Sequence, residues 1–341
     1  MASSTATTYG ILIGRFQPFH KGHAQLVQHI LAEVDSLLFV VGSSAAPRNL
    51  RNPWSLSERE AMIRASLPAE QGQRLHFRGI PDVFYDDRLW VHSVKAVVTD
   101  ACPSRAKIRL YGHTKDNSSY YLALFPDWDY RELPNYDGLS ATPFREALLE
   151  AGPERVHRLL HGPLTEVLPE GVLYWLDAFV TQPEYAELCA EAEAVRSYQQ
   201  LWEGSPWPPV FVTVDTLVTW RDQVLLIRRG RRPGLGLLAL PGGFIDPGER
   251  IFAACRRELA EETGLQLGAD VPVVNSFVAD HPDRSDRGRF ISHVYHFALD
   301  PEDECPAVQG GDDASEADWH PLSTLDSSRV FEDHYALIQH L

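Results

Sequence analysis

Between Gly243 and Leu265 the chain reads GFIDPGERIFAACRRELAEETGL, a spacing that leaves the segment little freedom. Gly243 is followed after five residues by Glu249. Seven residues later comes Arg257-Glu258-Leu259-Ala260-Glu261-Glu262-Thr263-Gly264-Leu265. A helix is expected from about Pro247 to Glu262. On it, Glu258 and Glu262 are four residues apart and Glu258 and Glu261 three, so the three carboxylates share one face. Carboxylates that close repel unless a hard divalent cation such as Mg²⁺ holds them through oxygen ligands. A merely solvated acidic face would need neither the glycines at both ends nor the arginine inside the cluster.

A second motif lies near the N-terminus, where residues 9–23 read YGILIGRFQPFHKGH. An apolar strand, Ile11 to Ile13, runs into a turn, then into His20-Lys21-Gly22-His23, then into Val27, Ile30, Leu31 and Val34 at helical spacing. His20 and His23 therefore sit where a strand gives way to a helix N-terminus. Free backbone N–H groups and the helix dipole favour phosphate there, and imidazoles add hydrogen-bond donors.

The two motifs need separate domains, and 341 residues accommodate two. Residues 183–202 look helical and amphipathic, and Gly204 with Pro206, Pro208 and Pro209 then breaks any helix. The expected division is 1–202, a linker at 203–209, and 210–341. In the first part, strands at Ile11–Ile13, Leu37–Val41 and Ile108–Tyr111 alternate with helices near 23–33, 58–67 and 90–99. That alternation implies a parallel α/β sheet with its ligand at the carboxyl ends of the strands. In the second, a strand from Val210, a hairpin turn at Arg221-Asp222, the acidic helix and strands near 277–279 and 290–298 imply an α+β unit.

Composition narrows the partners. A net charge of −16, with no basic run, argues against a nucleic-acid-coating protein and against an anionic membrane surface. Cys102, Cys189, Cys255 and Cys305 are scattered without a C-x-x-C, as expected of reduced thiols in a cytoplasmic protein. No signal core or membrane-spanning window is visible. Homo-oligomerisation is left open.

The segment from Gly243 to Leu265 fills every fixed position of the Nudix box, G-x5-E-x7-R-E-U-x-E-E-x-G-U with U apolar, and so resembles the Nudix hydrolases. These cleave a nucleoside diphosphate linked to another group in an α/β/α sandwich. The resemblance implies Mg²⁺ on Glu258, Glu261 and Glu262, with Glu249 as a further ligand or a support. Arg257 would orient the carboxylates and Glu261 take part in catalysis. The loop His281-Pro282-Asp283-Arg284-Ser285-Asp286-Arg287-Gly288-Arg289 is similar to one in Nudix domains that handle or sense ADP-ribose. It implies diphosphate binding by Arg284, Arg287 and Arg289, with Gly243 beside them. NADH and dinucleotide polyphosphates stay open as substrates.

The string Gly14-Arg15-Phe16-Gln17-Pro18-Phe19-His20-Lys21-Gly22-His23 resembles the nucleotidylyltransferases with a Rossmann-like fold, in particular the archaeal-type NMN adenylyltransferases. These make NAD from NMN and ATP. Ser140-Ala141-Thr142-Pro143-Phe144-Arg145 matches that family's S-x-T-x-x-R motif. Thr142 is expected to cap a helix that has Pro143 at its first position and ends at Gly152. Arg145 then lies in the first turn, where a cation opposes the dipole unless an anion is bound. The resemblance implies His20, His23 and Arg145 as catalytic groups. It implies Gly14, Arg15, Phe16, Arg51, Trp90, Gly112, Ser140 and Thr142 around ATP and NMN, and Mg²⁺ at this site too.

Gly112-His113-Thr114-Lys115-Asp116 and the order of the two halves are similar to bacterial bifunctional NMN adenylyltransferase/Nudix hydrolases. The expected substrates are NMN, ATP and ADP-ribose. FMN or phosphopantetheine as acceptor, nicotinate mononucleotide in place of NMN, and a nucleotide-sensing role are the rival readings.

Overall fold

The computed structural model describes residues 7–112, 117–133, 139–268 and 270–340, so His113–Asp116 lie outside the described residues. The chain divides into two compact units, Met1–Ala190 and Glu191–Leu341.

The first unit is built on β1 (Thr8–Gly14), α1 (Lys21–Leu31), β2 (Ser36–Val41), α2 (Leu56–Ala65), β3 (Leu75–Gly79), α3 (Asp87–Ala101), β4 (Lys107–Gly112) and β5 (Asp129–Glu132). It continues with α4 (Ala141–Leu160), α5 (Glu170–Phe179) and α6 (Pro183–Gln200). The strands form one parallel sheet in the order β3-β2-β1-β4-β5. Ile11, Leu37, Leu38, Phe39 and Val40 are fully buried, as continuous apolar runs in a sheet covered on both faces must be. The strand order reverses between β1 and β4, which places a ligand crevice at their carboxyl ends, Gly14 and Gly112.

All three strands and three helices expected in this unit are present. The sequence reading lacked β3, β5 and α5. β5 reads DYRE, a polar edge with no apolar pattern, and β3 buries only Leu75 and Phe77 in five residues. The start of α4 also differs from expectation. Its N-cap is Ser140, not Thr142, and Ala141 is already helical. Gly152 interrupts the helix as expected, but Pro153 restarts it beyond the kink, to Leu160.

The second unit comprises β6 (Val210–Trp220), β7 (Gln223–Arg229), β8 (Leu238–Ala239), β9 (Gly242–Phe244), α7 (Ile251–Thr263), β10 (Val273–Ala279), β11 (Arg289–Ala298), β12 (Ala314–Pro321) and α8 (His334–His340). Its mixed sheet runs β10-β11-β6-β7-β12, with β8 on β7 and β9 on β6. β6 and β11 are parallel neighbours; the other pairs are antiparallel. Val214, Val218, Cys255, Leu259 and Phe297 form the core that fixes α7 on the sheet. The hairpin turn at Arg221-Asp222 is where the sequence put it.

The acidic helix starts later than expected, at Ile251. The Glu249 amide donates to the Asp246 carbonyl at 3.0 Å, closing a turn around Pro247-Gly248. Gly248 has φ 87°, which suits the third position of a type II turn and no helix. Glu249 therefore approaches the cluster from a loop.

Between α6 and β6, residues 201–209 hold the Gly and Pro run noted above. The last turns of α6 group with the second unit. Glu191 there accepts from the Gly234 amide at 2.7 Å and pairs with Arg232, and Gln199 donates to the Asp286 carbonyl.

Candidate active sites

The first site grows from the loop joining β1 to α1. His20 is the N-cap of α1, its Nδ1 accepts from the His23 amide, and His23 Nδ1 accepts from the His20 amide, both at 3.3 Å. The rings stack with centroids 3.6 Å apart. With Nδ1 acting as acceptor, a neutral ring carries its proton on Nε2, which is the one donor each imidazole has. Phe16 holds the pair from beneath, edge-on to His23 at 5.1 Å and to Phe39 at 5.4 Å. A Cβ on Gly14 would lie 2.9 Å from the Phe16 ring, so the strand end accepts only glycine without a shift.

Four long-range contacts shape the same loop. Gln17 exchanges two hydrogen bonds with the Trp54 backbone, at 2.9 and 3.1 Å. Arg145 Nη1 donates to the Gln17 carbonyl at 2.8 Å, while Nη2 donates to Thr142 Oγ1 at 3.3 Å. Phe144 meets the His20 ring edge-on at 6.2 Å. Arg59 is fully buried and donates to the carbonyls of Arg15, Gly42 and Ser43 at 2.9, 2.7 and 3.3 Å. Burial pulls its pKa down to about 10.

The second site is the face of α7 under β9. Arg257 bridges Glu249 (2.9 Å), Glu258 (2.9 Å) and Glu261 (2.9 Å), and also donates to the Phe244 carbonyl. Its hydrogen bonds to Glu249, then to the other two carboxylates, raise its pKa and hold that of Glu249 below the ordinary value. Glu258 and Glu262 are buried, whereas Glu261 is exposed. Glu262 accepts from the Gly242 amide at 2.9 Å. Burial, reinforced by Glu258 and Asp215, pushes the Glu262 pKa up to about 8. Burial likewise raises Glu258, against the pull of Arg257. A Cβ on Gly243 would come within 2.6 Å of the Glu258 carboxylate, so glycine lets β9 cross directly over it. The donor set is hard oxygen, and burial opposes the charge of Glu258 and Glu262 beyond what Arg257 and the Gly242 amide offset. A divalent cation such as Mg²⁺ fits that deficit.

Comparison with known proteins matches both halves. A cytidylyltransferase-like family profile covers residues 11–147, and a NUDIX domain profile covers 210–341. The nicotinamide/nicotinic acid mononucleotide adenylyltransferase of Acinetobacter baylyi is 41% identical over 182 residues, 53% of this chain and 90% of that protein. The ADP-ribose pyrophosphatase of Methanocaldococcus jannaschii is 39% identical over 130 residues, 38% of this chain and 70% of that one. The crystal structure of a bifunctional NMN adenylyltransferase/ADP-ribose pyrophosphatase from Francisella tularensis superposes with a TM-score of 0.88 at 34% identity, covering 98% of both chains. The chain belongs to the bifunctional NMN adenylyltransferase/Nudix hydrolase family. A second crystal structure of the Francisella tularensis protein, with AMP and a manganese ion, matches at 33% identity and TM-score 0.87, again over 98% of both chains.

Of the residues this family's motifs single out in the first unit, His20, His23, Phe16, Thr142 and Arg145 converge on one loop. Ser140 caps the same helix as Arg145 without a side-chain hydrogen bond. Arg51 lies in a turn organised by Asn49, whose Oδ1 accepts the Arg51 and Asn52 amides. Gly112 offers its carbonyl to Leu133 N–H and the Tyr130 hydroxyl. Trp90 is half-buried, edge-on to Tyr121 at 5.7 Å and to Phe125 at 5.8 Å.

In the Nudix unit the three arginines expected at the diphosphate each have partners within the protein. Arg284 is buried, with Nε and Nη2 on the two oxygens of Asp333 at 2.9 and 3.0 Å and Nη2 also 3.3 Å from Asp215. Ser292 donates to Asp215 at 2.6 Å. Burial opposes the Asp215 charge, but His334, Arg284 and Ser292 outweigh it and hold the carboxyl below its ordinary value. Arg287 stacks over Phe290 at 4.5 Å and lies 3.7 Å from Glu332, and Arg289 donates to the Asp280 carbonyl. Sequence reasoning missed this buried network. Its signal was Asp215, a charge within the apolar run Val214 to Val218.

Arg284→Ala should therefore cost about 3–5 kcal/mol of stability in the Nudix unit, because it strands two buried carboxylates. Arg284→Lys should recover only part, since a point charge cannot bridge both oxygens of Asp333. Denaturant melts measure this. Unchanged stability with lost ADP-ribose hydrolysis would instead put Arg284 on the substrate.

Proposed function

We propose that the N-terminal unit transfers AMP from ATP to NMN, giving NAD and pyrophosphate. The C-terminal unit hydrolyses ADP-ribose to AMP and ribose 5-phosphate. In the first reaction an NMN phosphate oxygen bonds to the α-phosphorus of ATP and the bond to the leaving pyrophosphate breaks. Such transfers depend on positioning and charge neutralisation more than on a protein nucleophile. The observation that carries this half is the Arg145–Gln17 hydrogen bond, which joins two motifs far apart in sequence at one loop. His20 and His23 present Nε2–H donors there, and Arg145 supplies the fixed charge.

In the second reaction water adds to one phosphorus of the diphosphate and the P–O–P bond breaks. Glu258, Glu261 and Glu262 would hold Mg²⁺, with Glu249 behind Arg257. The cation supplies Lewis-acid polarisation of the phosphoryl group. Arg257 fixes the carboxylate rotamers, and Glu261, the exposed member, faces solvent where a substrate water enters. Mg²⁺ serves the first site too by neutralising ATP. The protein works in the cytoplasm on small molecules, without nucleic acid or membrane. Among the described residues no helix is long and apolar enough to cross a membrane.

Product analysis of the full chain with NMN plus ATP, and separately with ADP-ribose, tests both halves. NAD formation should need only residues 1–203. For the Nudix half, a fragment from Pro183 should melt above one from Gly204, which lacks Glu191 and Gln199. A folded 1–203 fragment that makes no NAD would overturn the modular reading.

A further inference from the structure

Away from both sites, α4 and α5 carry another constellation. Beyond the Gly152–Pro153 kink, α4 presents His157 and, one turn later at its C-cap, His161. Residues four apart share a helix face. Asp177 of α5 meets them: its Oδ1 lies 3.0 Å from His157 Nδ1 and 3.2 Å from His161 Nε2. The imidazole planes are inclined by only 9°, and the three ligand atoms lie within 4.8 Å of one another. Among the described residues, no other group of His, Cys, Asp or Glu side chains meets that spacing.

We propose that His157, His161 and Asp177 bind a transition-metal dication of the Zn²⁺ or Cu²⁺ type, clipping α4 to α5. Metal–ligand bonds of about 2.0–2.1 Å give a tetrahedral edge of about 3.3 Å. The observed nitrogen–oxygen separations are already close to that, so an ion can replace the two hydrogen bonds with little movement. For neutral rings the displaced proton moves to the other ring nitrogen, and an imidazolium releases its proton. Two neutral imidazoles with one carboxylate leave a single negative charge to meet the dication. Imidazole selects zinc, copper and nickel over magnesium, calcium and manganese, so this site and the carboxylates of α7 sort different ions. Three protein ligands leave the remaining positions to water. All three side chains are at least 41% exposed, so an ion reaches them without opening the fold.

The test uses tag-free full-length protein with excess Mg²⁺ present. Titration with Cu²⁺, followed by electron paramagnetic resonance, should show one equivalent bound with coupling to imidazole nitrogen. Zn²⁺ at a hundred times its dissociation constant should raise the melting temperature of the N-terminal unit by about 5–10 °C. The His157→Ala/His161→Ala variant should lose both signals and keep wild-type NAD synthesis in Mg²⁺, which also certifies its fold. Asp177→Asn should keep the nitrogen coupling and bind at least tenfold more weakly. Either of two results overturns the proposal: no nitrogen-coupled Cu²⁺ in the wild type, or equal binding and equal Zn²⁺ stabilisation in the double histidine variant.

Discussion

Glu262→Gln should lower ADP-ribose hydrolysis by at least ~100-fold, the scale of losing a metal ligand's charge and the electrostatic stabilisation it supports. Glutamine preserves the shape, and its carbonyl oxygen can still accept from the Gly242 amide, so packing under β9 survives. The lost group is a carboxyl whose pKa is pushed up to about 8 because burial, with Glu258 and Asp215 beside it, outweighs the Gly242 amide and Arg229. Glu261→Gln should fall comparably for a different reason. That side chain is exposed and held by Arg257, so its removal unbalances the ion-pair network as well as the ligand set. NAD synthesis should be unchanged in both. Steady-state assays of the two reactions on one preparation decide it, and near-normal hydrolysis in both variants would remove α7 as the cation-holding element.

His23→Ala and Arg145→Ala should each lower kcat for NAD synthesis by about 30- to 900-fold, equivalent to about 2–4 kcal/mol for one preorganised donor. KM for NMN should change less, because the charge they meet develops on the ATP phosphates as the reaction proceeds. His23→Ala also removes the acceptor for the His20 amide, and loss of a helix cap costs about 0.5–2 kcal/mol of stability. Activity should therefore be read below the melting transition of the N-terminal unit, with ADP-ribose hydrolysis as the control for the amount of protein. Through the Gln17 carbonyl Arg145 braces the loop that carries both histidines, so the double variant should lose less than the sum of the singles. Full additivity with wild-type kcat would place both residues on the wrong substrate.

Local patterns in the chain mark the elements that frame both sites, and the exceptions have physical causes. The strand–loop–helix around His20 was legible because apolar periodicity changes from sheet to helix within fifteen residues. β5 was not, since an edge strand of four polar residues is defined by its neighbour. The late start of α7 is written in Pro247-Gly248, a turn signal that competes with the helical spacing of the glutamates downstream. The Arg284 pairing was invisible because its partners, Asp215 and Asp333, lie on distant segments and only the fold brings them together. The same holds for Arg59, whose three carbonyl partners belong to two separate loops.

The parallel pairing of β6 with β11 sets Val210 beside Arg289 at the heart of the Nudix sheet. On a ribosome, the first partner emerges long before the second, and a parallel pair cannot be closed by a local hairpin. The C-terminal unit must wait until β11 is synthesised, well past its midpoint, before its central strands can register, while the sheet of the N-terminal unit is complete by Glu132. Until then β6 has only its hairpin partner β7 and the short β9, and its β11-facing edge is the stretch of nascent chain most in need of protection from aggregation.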